Sequence, residues 1–164
     1  MSEEEKRKKR CSFTGHRPEK IRQSESFVVK MIKQEIYNAI EDGFDVFITG
    51  MARGVDIWAA EIIIDIRNTK KLPLKLIAAV PYYNFEKTWS LSWQKRYSYV
   101  IKQADLVRFL APKYHKNCFK FRNEWLVDHS ARVIAIFSGE KGGTKNTIDY
   151  ALARGVSVKK IFIS

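Results

Sequence analysis

Phe47-Ile48-Thr49-Gly50-Met51-Ala52-Arg53-Gly54-Val55-Asp56 is an apolar run that breaks at a glycine and restarts at once as a helix. Two glycines at such a junction let the backbone approach a ligand closely. The new helix brings its unpaired N–H groups and positive dipole end to the same point. Arg53 adds a fixed charge and a planar donor fork suited to phosphate or carboxylate. The chemistry this pattern can do is anion binding. A tight strand-to-helix turn with one surface arginine has the same sequence, so the reading rests on further loops of the same kind.

Two such loops exist: Thr14-Gly15-His16-Arg17-Pro18 and Ser138-Gly139-Glu140-Lys141-Gly142-Gly143-Thr144. His16 donates to a phosphate or caps its own turn, and His129 satisfies a backbone group. Asp56 caps its helix or accepts from a ribose hydroxyl. Tyr82, Phe85 and Trp89 stack on a base, or form a lid or dimer contact. Arg122 and Asn123 contact ligand, or anchor a short helix to the sheet edge. Glu61 and Asp128 are the carboxylates considered for catalysis; as ion-pair partners or ribose ligands they would have no catalytic role.

The elements that must position these residues alternate. Cys11 to Gly15 reads as a strand, and Ser24 to Asp42 as an amphipathic helix with a serine N-cap and Gly43 as its stop. Phe44 to Thr49 is a second strand, followed by a helix from Asp56 to Arg67 whose apolar residues nearly surround it. Strands over Leu74 to Val80, Leu106 to Leu110, Ala131 to Phe137 and Val158 to Ile163 alternate with helices near Ser90 to Gln103, Phe119 to Asp128 and Lys145 to Arg154. This order predicts an α/β, Rossmann-like three-layer sandwich with a mostly parallel sheet of about six strands. Ligands bind such a sheet at the C-terminal edge, where the strand order reverses.

At 164 residues, one domain over residues 11–164 is expected, preceded by a charged, flexible tail over residues 1–10. No apolar run approaches the ~20 residues that span a bilayer, so no membrane partner and a cytoplasmic location are expected. Cys11 and Cys118 share no ligand spacing with His16, His115 and His129, which points to free thiols, no metal and no cofactor. The net charge is +12; the first ten residues hold five Lys/Arg against three Glu, so +10 belongs to the folded body. That balance favours anionic partners, whether nucleotides, nucleic acid or acidic proteins.

Several motifs in order carry a family resemblance: Ser12-Phe13-Thr14-Gly15-His16-Arg17-Pro18, Thr49 to Glu61, Arg122-Asn123, Val127-Asp128-His129-Ser130 and Gly142-Gly143-Thr144-Lys145-Asn146-Thr147. Together they resemble the YpsA-like family of the SLOG superfamily, which includes DprA and the LOG-type phosphoribohydrolases. The resemblance covers nearly the whole chain from Cys11. It implies a Rossmann-like fold that binds nucleotides or nucleotide-derived ligands, with oligomerisation common. By motif it assigns Gly50, Met51, Ala52, Arg53, Gly54 and Asp56, with Gly142, Gly143, Thr144 and Asn146, to phosphate- and ribose-facing loops. Thr14, Gly15, His16 and Arg17 complete the pocket.

LOG enzymes follow their glycine-rich loop with a glutamate. Thr147 stands in that position here, and no proline opens the loop. The expectation is therefore a receptor or sequestering protein for a nucleotide or nucleotide-derived signal, without turnover, acting as a homo-oligomer. The alternatives are a LOG-type nucleotide N-glycosidase and a DprA-like binder of single-stranded nucleic acid; the latter is not favoured, since no nucleic-acid motif is recognisable.

Overall fold

The computed structural model describes residues 1–163. Helix α1 spans Glu3–Arg7, and strand β1 Arg10–Thr14. Helix α2 spans Glu25–Glu41, then β2 Val46–Thr49, α3 Val55–Lys70, β3 Lys75–Val80, α4 Leu91–Gln103 and β4 Leu106–Phe109. Helix α5 (Cys118–Asp128), β5 (Arg132–Phe137), α6 (Gly143–Ala153) and β6 (Ser157–Phe162) complete the chain. The six strands form one sheet in the order β4-β3-β2-β1-β5-β6, and every adjacent pair is parallel. The fold is α/β and Rossmann-like, with the expected six strands.

Helices α2, α3 and α4 pack side by side on one face of the sheet, and α5 and α6 on the other. The larger core lies under α3, whose ten buried residues, Val55 to Ala60, Ile62 to Ile64 and Ile66, encircle it. A helix so placed reads as apolar on nearly every side because its neighbours α2 and α4 cover its flanks. The opposite face holds smaller clusters, such as Ile48, Ala79 and Leu126, and Ala135, Phe137 and Ile148. Among the described residues, no helix is long and apolar enough to cross a membrane, and both cysteines are free and buried.

Residues 1–10 correct one expectation. They were read as a flexible tail, yet Glu3–Arg7 is a helix, and Arg10 already begins β1. Ser2 and Glu5 form a reciprocal capping box, with acids in the first turn and bases in the last. The helix is fastened to the body by Arg7, whose Nη1 donates to the Ser130 carbonyl at 2.9 Å. A charge run conceals this because its acids and bases pair among themselves, Arg7 with Glu4 at 2.7 Å and Arg10 with Glu3 at 2.6 Å.

One cation ties the helical layer together. Arg96 of α4 bonds Glu61 of α3 at 2.7 Å and Glu25 of α2 at 3.0 Å, and its guanidinium lies over the Trp93 ring. The hydrogen bond to Glu61 foremost, with that to Glu25, raises the Arg96 pKa above its ordinary value. Because the triad is partly exposed, its value falls between a surface pair and a buried one. Arg96→Ala is expected to lower stability by about 1–2 kcal/mol, and urea unfolding of the two proteins measures it.

Candidate functional site

The sheet order reverses between β1 and β5, so the loops leaving these two strands diverge. A crevice of about 260 Å³ opens there, on the C-terminal edge. Ordinary backbone geometry builds it. Residue 15 can only be glycine at this spacing, since a Cβ would stand 2.4–2.8 Å from the Val55 side-chain carbons. Gly54 precedes α3 at φ +92°, and a Cβ there would meet the His16 carbonyl at 2.8 Å. Together the two glycines allow the loop after β1 to lie directly on the start of α3.

Neither α3 nor α6 receives a side-chain cap at its N-terminus; glycines 54 and 142 occupy the two N-cap positions. Asp56, in the first turn of α3, and Gly143 and Thr144, which open α6, line the crevice. The uncapped start of α6 thus opens on the crevice, which favours an anion there, while α3, its first residues covered by the loop after β1, contributes Asp56. Arg17, Lys20 and Arg53 add positive charge along one side. Their states differ. Arg53 is held by Glu19 through two bonds of 2.8 and 3.1 Å, whereas neither Arg17 nor Lys20 forms an ion pair among the described residues. Arg53 is thus engaged by Glu19, while Arg17 and Lys20 are lining cations without an ion pair among the described residues.

The floor is an internal charge pair. Asp56 and Arg122 are both buried. Arg122 Nη1 donates to the Gly50 carbonyl, its Nε to Asn123 Oδ1 at 2.8 Å, and Asp56 Oδ2 accepts from the Ala52 N–H at 3.2 Å. Burial pushes the Asp56 pKa up, opposed by the Arg122 charge and the Ala52 bond. Gly50 threads between them: a Cβ there would lie 2.9 Å from both the Arg122 guanidinium and Asp56 Oδ2. Met51, wholly buried, takes φ +66°, a strained conformation for such a side chain. Thr49 braces it, accepting from the Met51 N–H at 3.2 Å and donating to the Asp56 carbonyl at 2.8 Å.

Phe85, Trp89 and Phe119 form an aromatic wall of the crevice. Phe85 meets Trp89 at 5.0 Å and Phe119 at 5.7 Å between ring centroids. Tyr82 stands behind them, edge-on to Phe85 at 5.4 Å.

Of the residues singled out from the sequence, the structure brings Thr14, Gly15, His16, Arg17, Ala52, Arg53, Asp56, Phe85, Trp89, Arg122, Asn123, Gly143 and Thr144 to the crevice. It keeps others off its surface. Gly50, Met51 and Gly54 lie beneath it as the turn that shapes it, Tyr82 backs the aromatic wall, Gly142 caps α6, and the Asn146 side chain is exposed on α6. Glu61 and Asp128 are elsewhere, because Glu61 is taken by Arg96 and Asp128 by the Tyr150 hydroxyl at 2.9 Å. Neither can act on a ligand here. Sequence reasoning missed Phe13, Lys20 and Phe119 as lining residues. Lys20 follows the His16-Arg17 motif by three positions, a usable signal; Phe119 carried none beyond its neighbour Cys118 opening a helix.

His16 links the two diverging loops. Its Nε2 accepts from the Ser138 N–H at 3.1 Å, so the ring proton sits on Nδ1, which faces Thr144 Oγ1 at 3.5 Å. Desolvation lowers its pKa below the ordinary 6.5, partly opposed by Glu140 and reinforced by Lys20. With a neutral ring in the folded state, its contribution to stability is complete above pH 6.5 and is lost as pH falls from there toward the lower folded value. His16→Gln retains an acceptor but cannot gain a proton. Its melting temperature is expected to fall less than that of the parent between about pH 7 and pH 5, which scanning calorimetry measures.

An open, all-parallel α/β sheet with a crevice at its C-terminal edge, where the strand order reverses, defines a Rossmann-like protein. The chain belongs to the YpsA family, described as the YspA SLOG family, whose model matches residues 11–160. A UPF0398 protein of Bacillus cereus strain G9842 is 26% identical over 131 residues, covering 78% of this chain and 71% of its own. A UPF0398 protein of Bacillus thuringiensis strain Al Hakam is similar to the same extent. Among solved structures, DNA processing protein A (DprA) of Streptococcus pneumoniae superposes with a TM-score of 0.68 at 19% identity, over 96% of this chain. DprA of Helicobacter pylori, described for its single-stranded DNA binding mode, gives 0.64 at 19% over 92%. The chain spans about half the length of the first DprA, 51%, and 64% of the second. At this identity the likeness shows the shared fold.

Proposed function

We propose that the crevice binds a nucleotide or nucleotide-derived ligand and releases it unchanged. One observation carries this: the uncapped start of α6, the unpaired cations Arg17 and Lys20, and the rings of Phe85, Trp89 and Phe119 line one crevice. Phosphate suits the cationic side and a base suits the rings, each with a physical partner. The volume, about 260 Å³, is near the lower end of small-molecule sites, roughly 300–1,000 Å³, and fits a ligand of mononucleotide size. Asp56, its carboxylate edge lining the crevice, suits a sugar hydroxyl.

Absence of turnover follows from where the carboxylates are. Cleaving an N-glycosidic bond calls for a placed acid or base. Thr147, at the position of the LOG glutamate, is buried and donates to the Gly143 carbonyl at 2.8 Å. Asp56 is the sole acid lining the crevice among the described residues, and its oxygen already accepts from Ala52 and lies beside Arg122. A receptor or sequestering role needs binding alone. Self-association remains compatible with this reading, since the crevice lies within one chain and leaves the sheet edges for another contact.

Calorimetric titration with nucleoside mono-, di- and cyclic phosphates tests the proposal. Arg17→Ala is expected to weaken binding by about 1.5–3 kcal/mol, the scale of a charge-assisted bond. Arg53→Ala is expected to cost less than about 1 kcal/mol, because Glu19 already engages that charge. No binding by any of these ligands would remove the nucleotide reading. Multiple-turnover release of base, abolished in Asp56→Asn, would replace the receptor with a hydrolase.

A further inference from the structure

Outside the crevice, an aromatic strip continues from its wall across the loops after β3 and β4. Tyr114 meets Tyr82 at 5.7 Å and Phe119 at 6.3 Å. The next residue, Tyr83, meets Phe109 of β4 edge-on at 5.4 Å. Its N–H bonds the Ala111 carbonyl, which joins the two loops. Core rings would be covered, yet Phe119, Tyr114, Tyr83 and Phe109 are 40%, 59%, 57% and 46% exposed. Edge-to-face packing holds each ring in place while about half of its surface stays in water.

The same stretch is cationic. From Arg108 to Arg122 the chain carries five Lys/Arg and no Asp or Glu, and Arg108, Lys113, Lys116 and Lys120 are all exposed. Nearby acids do not cancel them: Asp105 is bound by Arg67 at 3.0 Å and by the Leu76 N–H at 2.8 Å, and Glu86 is partly buried in its loop. β4 is moreover an edge strand, and among the described residues no strand pairs with its outer side.

We propose that this strip is a docking surface for single-stranded nucleic acid, separate from the crevice. Its composition selects the occupant. A second copy would oppose lysine to lysine across the face, and a duplex keeps its base faces stacked internally. A flexible polyanion with free bases meets both features, its phosphates the lysines and its bases the rings. Because stacking accepts every base, the surface is indifferent to sequence.

Fluorescence anisotropy with a labelled oligothymidylate of about 16 nucleotides tests this on the intact chain. Tyr114→Ala and Phe109→Ala are each expected to weaken binding by about 5- to 100-fold. If Lys113, Lys116 and Lys120 each neutralise one phosphate, raising salt from about 50 to 200 mM weakens binding by about 20-fold, and replacing all three by alanine flattens that dependence. Arg17→Ala, at the crevice, is expected to change strand affinity less than about threefold. Equal affinity for a hairpin duplex, or no response to either ring variant, overturns the surface. Strand binding lost in Arg17→Ala but kept in Tyr114→Ala would also overturn it while leaving the crevice reading intact. A dimer in light scattering that Phe109→Ala returns to monomer would assign the face to a second copy instead.

Discussion

The contact between Arg122 and the Gly50 backbone, with Asp56 alongside, is what the rest of the site depends on. α3 and α5 lie on opposite faces of the sheet, and Asp56 from one and Arg122 from the other both reach Gly50 at the end of β2. Each charge, buried alone, would be costly; beside the other and hydrogen-bonded to backbone, each is tolerated. The pair requires that residue 50 have no side chain. It also requires the turn that follows to fold back sharply enough for Ala52 to reach Asp56, which takes Met51 into the left-handed region. Strain and buried charge therefore sit together under the crevice, where preorganisation serves binding.

The same pair limits the chemistry above it. A carboxylate that accepts from a backbone amide beside a guanidinium is poorly placed to move protons on a ligand, although an oxygen at the crevice surface can still orient one. The positive character of the crevice comes from elsewhere: the start of α6, which has no side-chain cap, and the cations Arg17, Lys20 and Arg53. Arg53 resembles the obvious ligand by position but is neutralised by Glu19, while Arg17 and Lys20 retain their charge for a partner. His16 couples the loops after β1 and β5 across the reversal point, so the opening is braced where an open sheet would otherwise splay.

Charge and aromatic surface are distributed unequally over the molecule. The α2, α3 and α4 layer is closed by a large core and the Arg96 triad. Across the sheet the clusters are small, and toward β4 the rings spill out of the crevice into solvent among lysines.

The sequence by itself determined the alternation of strands and helices, and with it the parallel sheet and the edge on which loops gather, because side-chain periodicity and glycine stops are local properties. It also marked the three glycine-bearing loops, since close approach and uncapped helix starts are written in residue types. Only the tertiary structure decided which side chains face the space between them. For Glu61 and Asp128 the sequence leaves a catalytic role and an ion-pair role open, and it takes the fold to bring Arg96 and the Tyr150 hydroxyl, distant in sequence, onto them. Phe119 lines the crevice from α5 and Lys20 from the segment after β1, residues about a hundred positions apart that only the fold brings to one space. Residues 3–7 are a helix rather than a tail because Ser130, more than a hundred positions away, offers Arg7 a carbonyl. Local chemistry sets what each residue is able to do; three-dimensional neighbours set whether its charge or donor is still free to do it.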